Sequence, residues 1–550
     1  MDTQHQSQMD ASRDERQTFR YTIAAIVAAL IGLALVLGLS PRRARAQGAV
    51  ESGAFLIRSQ KDTIVIERFR RSATALTGSI TAQGAPRIEY VATLGANNSV
   101  TVLTIDVFAA SATPDDKPLQ HVVATMKGDS VTVEAPTGTR TIASKETALP
   151  GINNAFALFE EFTRRARAAG ADLVEPYFSL SGGQTLPVMI KRLGTDSMVV
   201  AIAGQEERFA VDATGRILGG SLAAKYDLVR VRTAAASNLK VGKPDYSPPK
   251  DAPYTAEEVT LKGQHGITLG GTLTLPKGAT GPVPAIVTIT GSGQQDRDEY
   301  IPVAGGYRPF RQVADTLGRR GIAVLRLDDR TVGASGGAIG TTADYAEDVK
   351  AALAYLRTRK EIDAKRLGLV GHSEGGMIAP LVATTEPGLA GIVLFAGPAY
   401  NGLDIIHYQQ RNAIEHDTAL AKLNRDSLLQ VSARALDSMA THDVWFKFFL
   451  TYDPLATARK VKVPTLILQG RTDQQVTYEQ AEKLGAAIRA GGNTDVTVRV
   501  FPELDHLFIH DPDGNPAGYA KLPTNKMSAE ALGVMADWVV KHLGGVAPTP

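Results

Sequence analysis

Cysteine is absent from all 550 residues of the sequence. The chain therefore forms no disulfides, offers no thiol nucleophile and has no thiolate ligands for a metal ion. Long blocks of lysine or arginine are also missing outside the N-terminal segment, and the formal net charge is only +2. This charge balance argues against nucleic acid as a partner.

The remaining composition is that of a globular protein, with 44% hydrophobic and 21% charged residues. The chain is too long for one compact core, because single cores stop growing at about 250 to 300 residues. We therefore expect about three domains, or two domains of which one carries a large insertion.

An uncharged apolar segment spans residues 21–39, with arginines on both sides. Its length is close to the roughly 20 residues that cross a bilayer, and Ala44-Arg45-Ala46 resembles a signal-peptide cleavage site. Residues 1–47 are thus predicted to be a signal peptide or an N-terminal membrane anchor. The protein is predicted to be exported, periplasmic or secreted, and an uncleaved segment would hold it at the inner membrane.

Two regions with different patterns follow. Residues 48–236 alternate apolar and polar positions, as in "DTIVIERF" and "DSVTVEA", with one amphipathic helix in "NAFALFEEFTRRARAAG". This pattern predicts a β-rich domain, for which the sequence indicates no function. Residues 237–253 are rich in proline and predict an extended linker.

From residue 254 onward, apolar runs such as "AIVTIT", "LGLVG" and "TLILQG" alternate with helical stretches. Continuous apolar strands separated by helices predict a parallel sheet covered on both faces. We expect 254–398 and 458–550 to form the two parts of this α/β core. Between them, 399–457 is polar and helical in period, which predicts an inserted helical cap.

Three polar residues follow apolar runs, at the carboxyl ends of strands where chemistry gathers in such sheets. Ser373 lies between Gly371 and Gly375 in "GHSEGG", which fits the G-x-S-x-G pattern. Asp473 follows "TLILQGRT" and His506 follows "VTVRVFPELD". The order Ser, Asp, His is that of α/β-hydrolases, in which histidine activates the serine and aspartate orients the histidine.

Other residues near these positions have alternative interpretations. His510 is the second candidate for the base, whereas His542 lies on a terminal helix and is expected to be solvated or packed. Asp505 is interpreted as a solvated loop residue. Trp445, Phe446, Phe448 and Phe449 in the cap are expected to be packing residues or to line an acyl pocket.

An oxyanion formed at Ser373 needs two backbone donors. The amide of Glu374 is one candidate, and Ser292 and Gly293 in the glycine-bearing loop "TGSGQQDRDEY" are candidates for the other. The Glu374 carboxylate is interpreted as a helix-start charge favoured by the helix dipole. No metal is predicted at "DRD" or "RLDDR", because the interleaved arginines would pair with these carboxylates.

Taken together, "TGSGQQDRDE", "RLDDRTVGASGG", "GHSEGG", "FFLTYDPL" and "VPTLILQGRTDQQV" resemble motifs of bacterial α/β-hydrolase esterases related to the prolyl-oligopeptidase and dienelactone-hydrolase groups. The resemblance covers about 254–545. It implies an α/β-hydrolase fold, the triad Ser373, Asp473 and His506, the oxyanion loop at 291–293 and a carboxylic ester substrate. The sequence departs from the pattern at Thr331, where glycine is expected.

The sequence therefore predicts a serine hydrolase that cleaves small-molecule carboxylic esters through an acyl-enzyme, without a cofactor. One alternative is a serine peptidase of prolyl-oligopeptidase type. Another is a binding protein whose β-rich domain holds a ligand while the hydrolase domain is vestigial. The oligomeric state stays open.

Overall fold

In the computed structural model, residues 50–545 are described with several gaps. The gaps are 60–61, 96–98, 111, 114, 137, 181–182, 203–204, 223–225, 233–239, 242–243 and 417–443. The predicted signal peptide or anchor at 1–47 lies outside the described residues. Among the helices that are described, none is long and apolar enough to cross a membrane.

The first region of the chain forms a sheet of fifteen strands. Their bounds are β1 Glu51–Ser59, β2 Asp62–Arg71, β3 Ala75–Ala82, β4 Arg87–Leu94, β5 Val100–Phe108, β6 Gln120–Lys127, β7 Ser130–Ala135, β8 Gly138–Ala143, β9 Leu149–Gly151, β10 Leu173–Ser179, β11 Gln184–Leu193, β12 Ser197–Ile202, β13 Gln205–Val211, β14 Ile217–Leu222 and β15 Tyr226–Arg232. The predicted β-rich domain is confirmed.

The chain builds this sheet as two antiparallel meanders, β1 to β8 and β10 to β15, that meet at β1 and β15, and the short β9 pairs with β10 in parallel. The sheet is curved, so that segments near its two ends come together where Ser144 Oγ lies 2.9 Å from Thr185 Oγ1. Helix α1, Phe156–Ala169, packs against one face, and its Leu158, Phe162 and Ala166 join the core with apolar strand residues. The helix ends at Gly170, whose φ of 65° suits glycine.

The second sheet has eight strands. Their bounds are β16 Tyr254–Lys262, β17 Thr268–Pro276, β18 Val283–Ile289, β19 Ala323–Leu327, β20 Ile362–His372, β21 Gly391–Phe395, β22 Thr465–Gly470 and β23 Val496–Phe501. The spatial order is β16-β17-β19-β18-β20-β21-β22-β23. The pairs β16/β17 and β17/β19 are antiparallel, and all others are parallel.

Helices cover both faces of this sheet, as predicted. The described α-helices after α1 are α2 Pro309–Gly318, α3 Thr342–Thr358, α4 Gly375–Ala383, α5 Gly402–His416, α6 Val444–Thr451, α7 Pro454–Ala458, α8 Glu479–Ala490 and α9 Ala529–Leu543. Helices α2 and α9 share one core, whereas α3, α4 and α8 share the core on the other face. Two separate apolar cores hold the strand ends, and with them the loops that follow, in fixed positions.

The region between β21 and β22 contains the predicted cap. Its described part is helical, comprising α5, α6 and α7, while 417–443 lie outside the described residues. Helix α5 approaches α6 closely, since a side chain at Gly402 would overlap the ring of Phe449. The side chain of Asp453 caps the start of α7 by accepting a hydrogen bond from the amide of Ala456 at 3.0 Å.

Candidate active site

Ser373 lies at a sharp turn between β20 and α4. Its φ is 55°, in the left-handed region that is uncommon for residues other than glycine. The flanking glycines are needed for close approach: a Cβ at Gly371 would overlap the backbone of Gly375, and one at Gly375 would overlap the carbonyl of Ile289. The turn is tied down by the Ser373 amide, which donates to the Phe395 carbonyl at 2.9 Å. The motif thus presents a serine on a strained, well-supported turn.

Asp473 and His506 are hydrogen-bonded to each other. His506 Nδ1 lies 2.8 Å from Asp473 Oδ2, and both side chains are buried. Asp473 also accepts from the Gln469 amide group at 2.9 Å and from the backbone amides of Gln475 and Val476 at 2.7 and 2.9 Å. Both carboxylate oxygens of Asp473 thus accept hydrogen bonds, and the bond at Oδ2 places the proton of His506 on Nδ1 and leaves Nε2 free to accept one.

Ser373 and His506 both face a cavity of about 290 Å³. The cap supplies much of its wall through apolar side chains of α5 and α6. The lining includes Ser292, Ile301, Pro398, Ile405, Ile406, Gln409, Trp445, Phe449, Gln475 and Val476. The three sequence-predicted residues are therefore brought together beneath the cap, with Asp473 behind His506.

The glycine-bearing loop after β18 lies beside Ser373. Ser292 and Glu374 line the large cavity, whereas Gly293 lines a smaller cavity of about 40 Å³ behind the loop. The amide of Gly291 is already engaged, because it donates to Glu299 Oε1 at 2.9 Å. This leaves the amides of Ser292 and Gly293 as candidates on this side of Ser373.

Glu374 lies at the start of α4, as expected, but its side-chain contacts extend beyond that helix. It makes no capping hydrogen bond to α4. Instead its Oε1 accepts from the Thr342 hydroxyl at 2.6 Å and from Trp445 Nε1 at 2.9 Å. Burial raises the pKa of this carboxyl, and hydrogen bonds from Thr342, Trp445 and Ser292 oppose that rise. Glu374 thus links the cap to the loop beside Ser373.

Asp505 is not the solvated residue that the sequence suggested. It is fully buried, and its Oδ1 accepts from the backbone amides of Leu507 and Ile509 at 3.0 and 2.8 Å. Burial raises the pKa of Asp505 to about 7. The residue organises the loop that carries His506, a role that adjacency in sequence does not reveal.

The other two histidines lie elsewhere. His510 is exposed, and its Nε2 lies 2.9 Å from Glu503 rather than near Asp473. His542 packs on α9, where its ring stacks on Trp538 at 4.0 Å between centroids. Neither histidine contacts Ser373, so the geometry favours His506 over the second candidate His510.

Two arginines of "DRD" and "RLDDR" pair with carboxylates of these motifs, whereas Arg330 pairs with Asp348. Arg297 binds Asp328 through two nitrogens at 3.0 and 2.7 Å, and Arg326 binds Asp298. Arg308 adds a pair with Asp296 at 3.0 Å. Among the residues that the structure describes, no group of three or more acidic or histidine side chains could hold a metal ion.

Two buried residues that the sequence did not single out complete the surroundings. Glu299 and His372 are hydrogen-bonded to each other, with Glu299 Oε1 2.7 Å from His372 Nδ1. They are separated by 73 positions, so no local pattern relates them. The sequence signal is that each lies within a quoted motif, Glu299 in "TGSGQQDRDE" and His372 in "GHSEGG".

The fold and the arrangement around Ser373 define an α/β-hydrolase. Two family profiles match the chain, one described as serine aminopeptidase, S33, over residues 304–457 and one as the prolyl oligopeptidase family over residues 430–544. Esterase EstD of Thermotoga maritima is 30% identical over 318 residues, which cover 56% of this chain and 72% of that protein. The chain belongs to the same α/β-hydrolase family as this esterase and is a serine hydrolase, so the prediction of an enzyme is confirmed.

Other similar proteins share less of the chain. The uncharacterized peptidase YuxL of Bacillus subtilis is 26% identical over 306 residues, covering 52% of this chain and 39% of that protein. The solved esterase Pf2001 of Pyrococcus furiosus is 19% identical, with a TM-score of 0.37, and the match covers 54% of this chain and 96% of that one. A putative dienelactone hydrolase from Klebsiella pneumoniae is 16% identical, with a TM-score of 0.34, over 53% of this chain and 98% of its own.

Proposed function

We propose that this enzyme hydrolyses carboxylic esters of small molecules through an acyl-enzyme, with Ser373 as nucleophile, His506 as base and Asp473 as the residue that orients it. The observation that carries the proposal is the hydrogen bond of 2.8 Å between His506 Nδ1 and Asp473, at the wall of the cavity that Ser373 also lines. That bond directs the proton-accepting nitrogen of His506 away from Asp473.

In this mechanism His506 Nε2 removes the proton of Ser373 Oγ as the oxygen attacks the ester carbonyl. The same proton then goes to the leaving alcohol when the tetrahedral intermediate collapses. A water molecule, activated by His506 in the same way, releases the acid and restores Ser373. Asp473 stays ionised throughout and stabilises the imidazolium that forms twice in the cycle.

The negative charge on the carbonyl oxygen requires donors fixed before the reaction begins. We propose the amide of Glu374 as one donor, and the amide of Ser292 or Gly293 as the other. The hydrogen bond from the Gly291 amide to Glu299 supports this choice, because that amide is not free to bind the oxyanion. A preorganised donor of this kind contributes about 3 to 4 kcal/mol to transition-state stabilisation.

The cavity favours a small and uncharged ester. Its volume of about 290 Å³ lies near the lower end of ligand pockets, which run from roughly 300 Å³ upward. Its lining combines apolar side chains with glutamines and contains no lysine or arginine among the described residues. An anionic acyl group would find no lysine or arginine there and would lie near the carboxyls of Glu299 and Glu374.

Replacing Ser373 by alanine tests the proposal. Ser373→Ala should lower kcat for p-nitrophenyl acetate by roughly 10³ to 10⁶ and abolish labelling by a fluorophosphonate, because the nucleophile is lost while the turn is kept. The exposed Ser247 provides a matched control, and Ser247→Ala should keep full activity and labelling. Peptide mapping that places the label on another residue, or unchanged hydrolysis by Ser373→Ala, would contradict the assignment.

A serine peptidase is the second candidate, favoured by the two matching family profiles, both of which carry peptidase descriptions. The same side chains would serve amide hydrolysis, with His506 giving its proton to an amine instead of an alcohol. Comparing kcat/KM for p-nitrophenyl esters with that for dipeptide p-nitroanilides distinguishes the two. Higher kcat/KM for the anilides, after correction for their lower intrinsic reactivity, would make the enzyme a peptidase.

A further inference from the structure

A second histidine and carboxylate pair lies directly beside His506. His372 is the last residue of β20 and immediately precedes Ser373, and it is only 5% exposed. Its Nδ1 lies 2.7 Å from Glu299 Oε1, and its Nε2 lies 2.9 Å from the main-chain oxygen of His506. The rings of His372 and His506 are 4.9 Å apart between centroids.

The partners of His372 determine its protonation. A main-chain carbonyl oxygen only accepts hydrogen bonds, and an ionised carboxylate also only accepts. Nε2 therefore donates to the His506 carbonyl, and if Glu299 Oε1 accepts from Nδ1 as it does from the Gly291 amide, both ring nitrogens donate, which is the imidazolium form. The charged groups that face the ring are Glu299 on the loop after β18 and Asp473 after β22; both raise the pKa of His372, which burial opposes.

Glu299 extends the same contacts to the loop beside Ser373. Its Oε1 accepts from the Gly291 amide at 2.9 Å as well as from His372. The backbone of Glu299 is held at a φ of 55°, an unfavourable conformation for this residue that surrounding contacts must maintain. A continuous set of hydrogen bonds thus runs from Gly291 through Glu299 and His372 to the carbonyl of His506.

We propose that His372 is a protonated positioning residue that holds the His506 main chain and, through Glu299, the loop at 291–293 in register with Ser373. Three separate strand ends supply the base, the nucleophile and the proposed oxyanion donors, and nothing in their local sequence fixes their mutual distances. Catalysis is sensitive to such distances, since a misplacement of about 1 Å costs roughly 10²-fold in rate. This inference rests on the proposed function.

The consequence is a loss of activity at high pH that belongs to His372 and not to His506. When His372 loses the proton from Nε2, a lone pair faces the His506 carbonyl and the hydrogen bond becomes a repulsion. A general base accepts a proton only in its neutral form, which limits activity at low pH. The high-pH limb is therefore the one that reports on His372.

Two variants separate positioning from simple packing. In His372→Asn, kcat for p-nitrophenyl acetate should fall about 10- to 100-fold with little change in KM, and the high-pH limb should disappear. Glu299→Gln removes the charge that favours the imidazolium, so its high-pH limb should move down by about one pH unit. The matched control is His510→Gln, which removes an exposed histidine paired with Glu503 and should leave the whole profile unchanged.

The protonation state is measured independently of catalysis. In the full-length wild-type enzyme carrying ¹⁵N-labelled histidine, the His372 ring should show two protonated nitrogens at neutral pH. The ¹⁵N signals of His372 are assigned as those that disappear in His372→Asn or shift in Glu299→Gln. A neutral His372 ring at pH 7 in the wild-type enzyme overturns the inference. A fall in kcat of His372→Asn with a pH profile that keeps both wild-type limbs overturns it as well. Fluorophosphonate labelling of Ser373 tests the proposed function separately, so the two failures are distinguishable.

Discussion

At the scale of single residues, one buried carboxyl in the β-rich domain has an unusual environment. Glu67 on β2 accepts from the amide of Ala157 at the start of α1, at 3.2 and 3.0 Å, and from the hydroxyl of Tyr90. Burial raises the pKa of Glu67 to about 8. The carboxyl is therefore protonated in the folded enzyme at neutral pH, where the helix start would otherwise favour a charge.

This environment predicts how stability depends on pH. Between the ordinary pKa of about 4.5 and the folded value of about 8, the unfolded chain releases a proton that the folded chain keeps, so the free energy of unfolding falls as pH rises. Glu67→Gln removes this titration. The midpoint of thermal unfolding should then fall less between about pH 5 and about pH 8 than in wild type, by about 2 °C or more.

The control for this measurement is an exposed glutamate on the same sheet. Glu134→Gln on β7 should keep the wild-type dependence on pH. The carboxyl of Asp505, whose pKa burial raises to about 7, adds a fall in the same direction, but it is present in all three proteins. If Glu67→Gln and wild type lose stability equally over this range, the buried carboxyl is already ionised.

At the scale of elements, the aromatic residues of α6 have two different roles. Trp445 and Phe449 stack on each other at 5.3 Å and line the cavity above Ser373. Phe446 packs with Leu450 on another face of the helix. The sequence predicted that these aromatics are packing residues or line an acyl pocket; Trp445 and Phe449 line the cavity, and the binding of an acyl group there stays a prediction.

Truncation of the Phe449 side chain should therefore change the acyl-chain length that the enzyme prefers in its ester substrates. In Phe449→Ala, the ratio of kcat/KM for C2 and C8 p-nitrophenyl esters should shift about 10-fold towards the longer acyl group, because one misfitted group is worth about 1 to 3 kcal/mol. The ring of Phe449 is replaced by space that a longer chain can fill.

A neighbouring residue on the same helix controls for general damage to α6. Phe448 stacks on Tyr452 at 5.5 Å and is not part of the cavity wall, so Phe448→Ala should leave the ratio unchanged. If Phe449→Ala lowers the unfolding temperature and leaves the ratio as it was, Phe449 is a packing residue.

At the scale of the whole molecule, the β-rich domain contacts the loops that support the candidate site. The amide of Gly333 donates to the carbonyl of Gly84 at 3.0 Å, and the Tyr226 hydroxyl donates to the carbonyl of Pro302. The proline-rich segment joins this contact, since the Tyr246 hydroxyl donates to Asp296 at 3.1 Å. These contacts reach the ion-paired loop that carries Glu299.

We propose that the enzyme works beyond the inner membrane, on the basis of the apolar segment at 21–39. A reporter enzyme that is active only outside the cytoplasm should be active when fused after residue 240. The same fusion without residues 1–47 should be inactive, because it lacks the exporting segment. Activity of a reporter that works only in the cytoplasm, fused at the same place, would show that the chain is not exported.

The sequence by itself determined the β-rich region, the parallel strands of the second sheet and the three residues at strand ends, but not the antiparallel pairing of β16, β17 and β19. Apolar periodicity reports which face of an element is buried, and strand ends in a parallel sheet share one edge, so Ser373, Asp473 and His506 could be grouped without coordinates. The glycines around Ser373 gave a second local signal, because the turn leaves no space for a Cβ.

Only the tertiary structure decided what surrounds these residues. The bond from Trp445 to Glu374 and the pair of Glu299 with His372 join positions 71 and 73 residues apart. Asp505 is buried although its partners Leu507 and Ile509 are close in sequence, because the loop that they form packs into the core of the second sheet. Polar contacts of this kind depend on which loops meet once both cores are packed. They produce no periodic pattern in the sequence, because each involves a single side chain and not the face of an element.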